Sequence, residues 1–255
     1  MFAIAFVGPA LALAFDKPAA FLPRDNLRMT QPIAKLLPAI TLESAPNPTA
    51  AVIWLHGLGA DGNDFAGLVP EIDLALCAPI RFIFPHAPSM PVTVNGGYVM
   101  PAWYDIFGAN LLSKQDAAGI QKSEREIVAL IEDQAAIGIA YERIVLAGFS
   151  QGCAMALHTG LRFPHKLAGI MALSGYLPLA DRFAAERHTA NATTPIFMAH
   201  GTQDPVVPIG RGEDSRDALA ALGHPVQWYA YPMPHSLHPQ EIKDISRFLR
   251  SVLPA

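Results

Sequence analysis

At 255 residues, 51% hydrophobic and only 16% charged, the chain carries far more apolar side chain than a disordered sequence. α/β folds of this size commonly form one domain around one sheet. Its formal net charge of −4, with no Lys/Arg run, lacks the basic footprint that phosphate-backbone binding requires, so nucleic acid is not an expected partner.

In chain order, Phe2 to Phe15 is an apolar stretch too short to span a bilayer, with Ala12-Leu13-Ala14 offering a signal-peptidase-like site. No Lys or Arg precedes it, Pro9 interrupts it, and Met29 makes a good start for the globular part. Residues 1–28 are therefore read as an N-terminal extension or misassigned start before a single domain over 29–255. The expected location is cytoplasmic, with export as the alternative if residues 1–14 act as a signal peptide. Phe2 excludes the myristoylation pattern, and no cysteine near either terminus invites acylation, so neither a lipid anchor nor stable membrane insertion is expected.

From about Ala50, short β-branched or aromatic runs alternate with helical patterns, the signature of βα units and a largely parallel sheet. Strands are expected at Ala51 to Leu55, Arg81 to Phe84, Arg143 to Ala147, Ala168 to Ala172, Pro195 to Ala199 and Val226 to Ala230. These mostly continuous apolar runs suit strands covered on both faces. Pro85 to Asn110, rich in Pro, Gly and aromatics, reads as one long loop, and loops of that length in a compact domain are usually functional. Ser113 to Ile137 spaces Ile120, Ile127, Leu130, Ile131 and Ile137 as an amphipathic crossover helix. A last helix begins near Pro239 and aligns Ile242, Ile245, Leu249 and Val252 on one face.

Cys77 and Cys153 stand far apart, in neither CxxC nor zinc-finger spacing, so two buried free thiols are expected. His56, His86, His200 and His235 sit at or just beyond strand ends. Nothing in their spacing requires a metal, and hydrogen-bonded loop histidines are the better reading.

The chemistry centres on Gly148-Phe149-Ser150-Gln151-Gly152. Alone the pattern is weak, but it follows a strand and precedes the small-residue helix opening Cys153-Ala154-Met155-Ala156, the context of a nucleophile elbow. Gly148 and Gly152 let strand and helix backbones approach where a Cβ would clash. A serine hydroxyl needs an imidazole to take its proton and a carboxylate to orient that imidazole. Asp204, in the loop after the strand at Pro195, is the candidate acid; Asp214 and Asp217 fall farther along in a helical stretch. His235 and His238 both follow the last strand. His235 is favoured as base, because His238 immediately precedes Pro239 and suits a helix cap.

Trp54-Leu55-His56-Gly57-Leu58-Gly59-Ala60-Asp61-Gly62 follows the first strand, so the N–H of Leu58 can join that of Gln151 as an oxyanion hole, with His56 structural. No GK[ST] follows these glycines, so the loop lacks the phosphate-binding lysine and hydroxyl of a P-loop.

Together these motifs, with Pro85-His86-Ala87-Pro88, Met100-Pro101-Ala102-Trp103-Tyr104-Asp105 and His200-Gly201-Thr202-Gln203-Asp204-Pro205, resemble the bacterial carboxylesterase, phospholipase and acyl-protein thioesterase family of α/β-hydrolases. The resemblance implies an α/β-hydrolase fold: a mostly parallel central sheet, helices on both faces, and no large lid domain. It implies Ser150, Asp204 and His235 as triad, Leu58 and Gln151 as oxyanion donors, and no cofactor. It also sets Trp103 and Tyr104 beside an acyl groove, whereas the residues alone suit a packed loop equally well. Cys153, where the family more often has Gly or Ala, and the extension before Met29 depart from the pattern; Cys153 would crowd the elbow slightly. The expected activity is carboxylesterase action on short to medium acyl esters through an acyl-enzyme. An acyl-protein thioesterase or lysophospholipase using the same triad is the alternative, and a silent binding protein the remote one. The expected partner is a small acyl ester or thioester, with a homodimer as the assembly to consider.

Overall fold

Strand β1 (Ala39–Glu43), largely exposed, opens the computed structural model, which describes residues 36–108 and 114–255. β2 (Ala50–Leu55), in contrast, is buried on both faces: Ala51, Ile53 and Leu55 enter one apolar cluster and Ala50, Val52 and Trp54 the other. Such a strand belongs inside a sheet with two covered faces.

After the short helix α1 (Asn63–Ala66) come β3 (Ile80–Pro85), the hairpin strands β4 (Ser89–Val92) and β5 (Tyr98–Pro101), and helix α2 (Ala117–Ala136). β6 (Ile144–Phe149) leads directly into α3 (Gln151–Arg162), followed by β7 (Gly169–Leu173), α4 (Ala180–Glu186), β8 (Ile196–Gly201), α5 (Ile209–Ala221), β9 (Val226–Tyr231) and α6 (Pro239–Val252). Seven strands form one sheet in the order β1-β3-β2-β6-β7-β8-β9, parallel throughout except for β1 against β3.

The six expected strands all form, and they supply every parallel pair. Helices α2, α3, α4 and α5 contribute to the cluster on one face, through Ile120, Met155, Phe183 and Leu219. α1 and α6 cover the other, through Phe65, Ile245 and Leu249. Parallelism brings the carboxyl ends of β2, β6, β8 and β9 to one edge of the sheet, where open α/β sheets place their ligands.

Three expectations change. The stretch read as one loop from Pro85 contains the β4–β5 hairpin, registered Ser89 with Pro101 and Val92 with Tyr98. Pro91 and Pro101 hid it, since proline is confined to strand positions that need no N–H donor. The Asp105 carboxylate ties the hairpin down, accepting from the Thr93 amide at 2.7 Å and its hydroxyl at 2.6 Å. The crossover helix begins at Ala117 rather than Ser113, because Asp116 caps it by accepting from the Gly119 amide at 2.9 Å. Ser113 and Asn110, like residues 1–28, lie outside the described residues. Finally, Cys153 and Cys77 are both free thiols, but only Cys153 is buried; Cys77 is half-buried where it bridges Pro254. Among the described residues no helix is long and apolar enough to cross a membrane.

Candidate active site

Strand β6 ends at Phe149 and helix α3 begins at Gln151, leaving Ser150 alone to reverse the chain. It does so at φ 57° and ψ −116°, a sparsely populated conformation costing on the order of 1–3 kcal/mol. The surroundings hold it there: the Ser150 amide donates to the Leu173 carbonyl at 2.9 Å, and the Ala154 amide to the Ser150 carbonyl at 3.2 Å. A Cβ at Gly148 would sit 2.1 Å from the Gly152 carbonyl oxygen, and one at Gly152 2.3 Å from that of Leu55. Both elbow glycines are thus required by close backbone approach. Cys153 does not crowd the turn, because Gly175 leaves room: a Cβ there would lie 2.5 Å from the Cys153 sulfur.

Leu58, Ser150 and Gln151 line one cavity of about 70 Å³. Among the described residues the amides of Leu58 and Gln151 have no protein acceptor. That of Gln151 is one of the free first-turn donors of α3. The loop bearing Leu58 is braced by His56, which is buried and held neutral as desolvation lowers its pKa. Its Nδ1–H donates to the Gly57 carbonyl at 2.7 Å and its Nε2 accepts from the Ala87 amide at 3.1 Å.

The Asp204 carboxylate, fully buried at the end of β8, accepts from His235 Nδ1 through Oδ2 at 2.6 Å. Its Oδ1 accepts from the amides of Val206 and Val207 at 2.8 and 2.9 Å. These bonds satisfy a carboxylate that burial would otherwise penalise, and they leave the other nitrogen of His235 free. His235 packs on Phe149, the residue before Ser150, with ring centroids 4.7 Å apart. No Ser150–His235 hydrogen bond forms among the described residues; such bonds often tighten only when substrate is bound. His238 is turned to another task, accepting from the Gln240 amide at 3.1 Å as the cap of α6. A wider cavity of about 410 Å³ lies beside His235, walled by Asp64, Phe65, Glu71, Phe149 and Leu237.

The two aromatic residues expected at a groove part company. Tyr104 lines the Ser150 cavity, but Trp103 does not, because its indole N–H turns inward to the His56 carbonyl at 2.9 Å. Sequence reasoning missed the Gln151 side chain, whose Oε1 accepts from the Trp103 amide at 2.8 Å while its Nε2 donates to the Tyr104 carbonyl at 2.7 Å. It also missed Tyr176 on the cavity wall, while His200, expected as a hydrogen-bonded loop histidine, forms such a bond beneath Asp204. His200 donates from Nε2 to the Val207 carbonyl at 2.8 Å, bracing the turn whose amides hold Asp204, and desolvation lowers its pKa. A Gly at 212 is the signal for His200, since a Cβ there would stand 2.5 Å from its Nδ1. His86, the fourth strand-end histidine, accepts from the Gly62 amide at 3.2 Å through Nδ1.

A mostly parallel sheet with a strained serine between its central strand and the following helix, and helices on both faces, defines an α/β-hydrolase. A sequence model described as phospholipase/carboxylesterase matches residues 38–253. The chain belongs to that family. Among its relatives is an acyl-protein thioesterase 1 of Gibberella zeae, 41% identical over 229 residues, covering 84% of this chain and 95% of the relative. Among solved structures, acyl-protein thioesterase 2 of Zea mays is similar at a TM-score of 0.73 and 30% identity, covering 80-odd percent of this chain (84%) and 99% of its own. Esterase PE8 is similar at a TM-score of 0.73 and 28% identity, covering 86% of this chain and 100% of its own.

Proposed function

We propose that the protein hydrolyses acyl thioesters and esters through an acyl-enzyme on Ser150, with acyl groups carried on protein cysteines as the favoured substrate class. The observation that carries the mechanism is the 2.6 Å Asp204–His235 bond beside the strained Ser150. The thioester preference draws on the relatives named acyl-protein thioesterase. In the first step Ser150 Oγ attacks the acyl carbonyl carbon as His235 Nε2 takes its proton. The oxyanion receives the amides of Leu58 and Gln151. Collapse breaks the C–S or C–O bond, and the leaving sulfur or oxygen takes the proton from His235. Water then attacks the Ser150 ester, giving its proton to His235, and Ser150 leaves with that proton as the carboxylic acid is released.

A second reading, a carboxylesterase of small esters, is favoured by the 70 Å³ of the Ser150 cavity and by likeness to esterase PE8. Both readings require Ser150. Ser150→Ala should abolish hydrolysis of an S-acyl cysteinyl peptide and of p-nitrophenyl butyrate alike, and full retention of either would overturn the mechanism. Comparing the two substrates on the wild-type protein decides between the readings: higher kcat/KM on the peptide thioester supports the first, and on the aryl ester the second.

A further inference from the structure

Beyond Ser150, the small cavity is walled by Ile106, Val206 and Val207, and by two phenols, Tyr104 and Tyr176. The phenolic oxygens lie 3.0 Å apart, and the residues are only 2% and 4% exposed. Burial pushes both phenols above their usual pKa, so each keeps its hydrogen at neutral pH. Two O–H groups then share a single hydrogen bond, and neither has another partner among the described residues. One hydrogen is left without an acceptor on a pair of residues that line the cavity, whose other side chains beyond Ser150 and Gln151 are apolar.

We infer that the Tyr104–Tyr176 pair selects short acyl groups bearing a hydroxyl, keto or ether oxygen, which accepts the spare phenolic hydrogen. The inference rests on the reading that Ser150 becomes acylated, and it holds for either leaving group. With the substrate carbonyl oxygen at the Leu58 and Gln151 amides, the acyl carbons run toward the remaining walls, where the phenols stand. A cavity of 70 Å³ has room for roughly two or three water-sized groups, at about 30 Å³ each. A purely apolar acyl group of that size displaces any water from the phenols and leaves the donor stranded; an oxygen in the chain satisfies it.

The test uses isosteric p-nitrophenyl esters on the full chain: methoxyacetyl against butyryl, and 3-hydroxybutyryl against 3-methylbutyryl. Each kcat/KM is divided by the uncatalysed hydroxide rate of the same ester. The wild-type protein should prefer the oxygen-bearing member of at least one pair by about 5- to 10-fold, as for one buried hydrogen bond. Tyr104→Phe/Tyr176→Phe should bring that ratio to one or below. A wild-type ratio at or below one in both pairs, or a double variant that keeps the wild-type preference, overturns the inference. The wild-type ratio stands by itself should the double variant fold poorly. Ser150→Ala, run in parallel, separates the two failures: persistent hydrolysis removes the acyl-enzyme reading and the inference with it, whereas a flat wild-type ratio with hydrolysis dependent on Ser150 removes the inference alone.

Discussion

Asp204 divides its carboxylate between two tasks, one oxygen 2.6 Å from His235 Nδ1 and the other on the amides of Val206 and Val207. An Asn at 204 can keep its carbonyl oxygen on the amides only by pointing its NH₂ at His235. Nδ1 must then accept, which moves the ring proton to Nε2 and removes the base. Asp204→Asn is expected to lower kcat on the order of 10³- to 10⁴-fold with little change in fold, as steady-state kinetics and circular dichroism would report.

The two imidazoles after β9 give a paired prediction. His235→Ala should abolish acylation, read by labelling with a fluorophosphonate. His238→Ala removes the acceptor for the Gln240 amide and should lower stability by about 1 kcal/mol while leaving labelling intact. Rapid labelling of the His235 variant alongside an inert His238 variant would reverse the assignment.

The elbow glycines should fail for steric reasons. Gly148→Ala and Gly152→Ala each drive a Cβ to within 2.3 Å of a backbone carbonyl oxygen and are expected to cost more than about 2 kcal/mol. Gly67, with φ −68° and nothing within 4 Å of its Cβ direction, serves as control: Gly67→Ala should stay within about 0.5 kcal/mol. Urea unfolding midpoints at matched m-values would compare the three.

How far these features can be read from residues alone depends on whether a local pattern carries them. The inner parallel strands were legible because their two buried faces demand unbroken apolar runs such as Ala51 to Leu55, and the half-exposed edge strand β9 through its aromatic pair Trp228-Tyr229. The elbow was legible because its glycines and serine are contiguous, and Asp204 and His235 because each follows a recognisable strand end. β1 was not, since an edge strand with most side chains in water need carry no such run. The Gln151 clamp, the His200 brace and the Tyr104–Tyr176 pair join residues 47, 7 and 72 positions apart, and only folding brings such pairs together.

Gln151 tests one of those long-range links. Its buried amide satisfies both the Trp103 amide and the Tyr104 carbonyl. Gln151→Ala keeps the backbone N–H at 151 but strands two buried backbone groups, at about 1–3 kcal/mol each. Thermal stability should fall. Activity should fall too, with KM rising as the Tyr104 wall loosens. An unchanged melting temperature would show that the clamp contributes little.

Glu241 sets an expected pH dependence of stability. It is fully buried in the first turn of α6; Oε2 accepts from the His238 amide at 3.2 Å, but Oε1 has no partner among the described residues. Desolvation, with a smaller push from the Asp244 carboxylate, raises its pKa to about 8 from 4.5. The folded state therefore holds this proton more tightly than the unfolded chain does. Its contribution is full below pH about 4.5 and is lost as pH rises through about 8, at up to about 1.4 kcal/mol per pH unit. A Gln at 241 can still accept from the His238 amide but has no proton to lose. Glu241→Gln should therefore gain stability relative to wild type progressively from pH 5 to 8, measured by urea unfolding at each pH. A stability difference constant over that range would mean that Glu241 is ionised in the folded protein throughout.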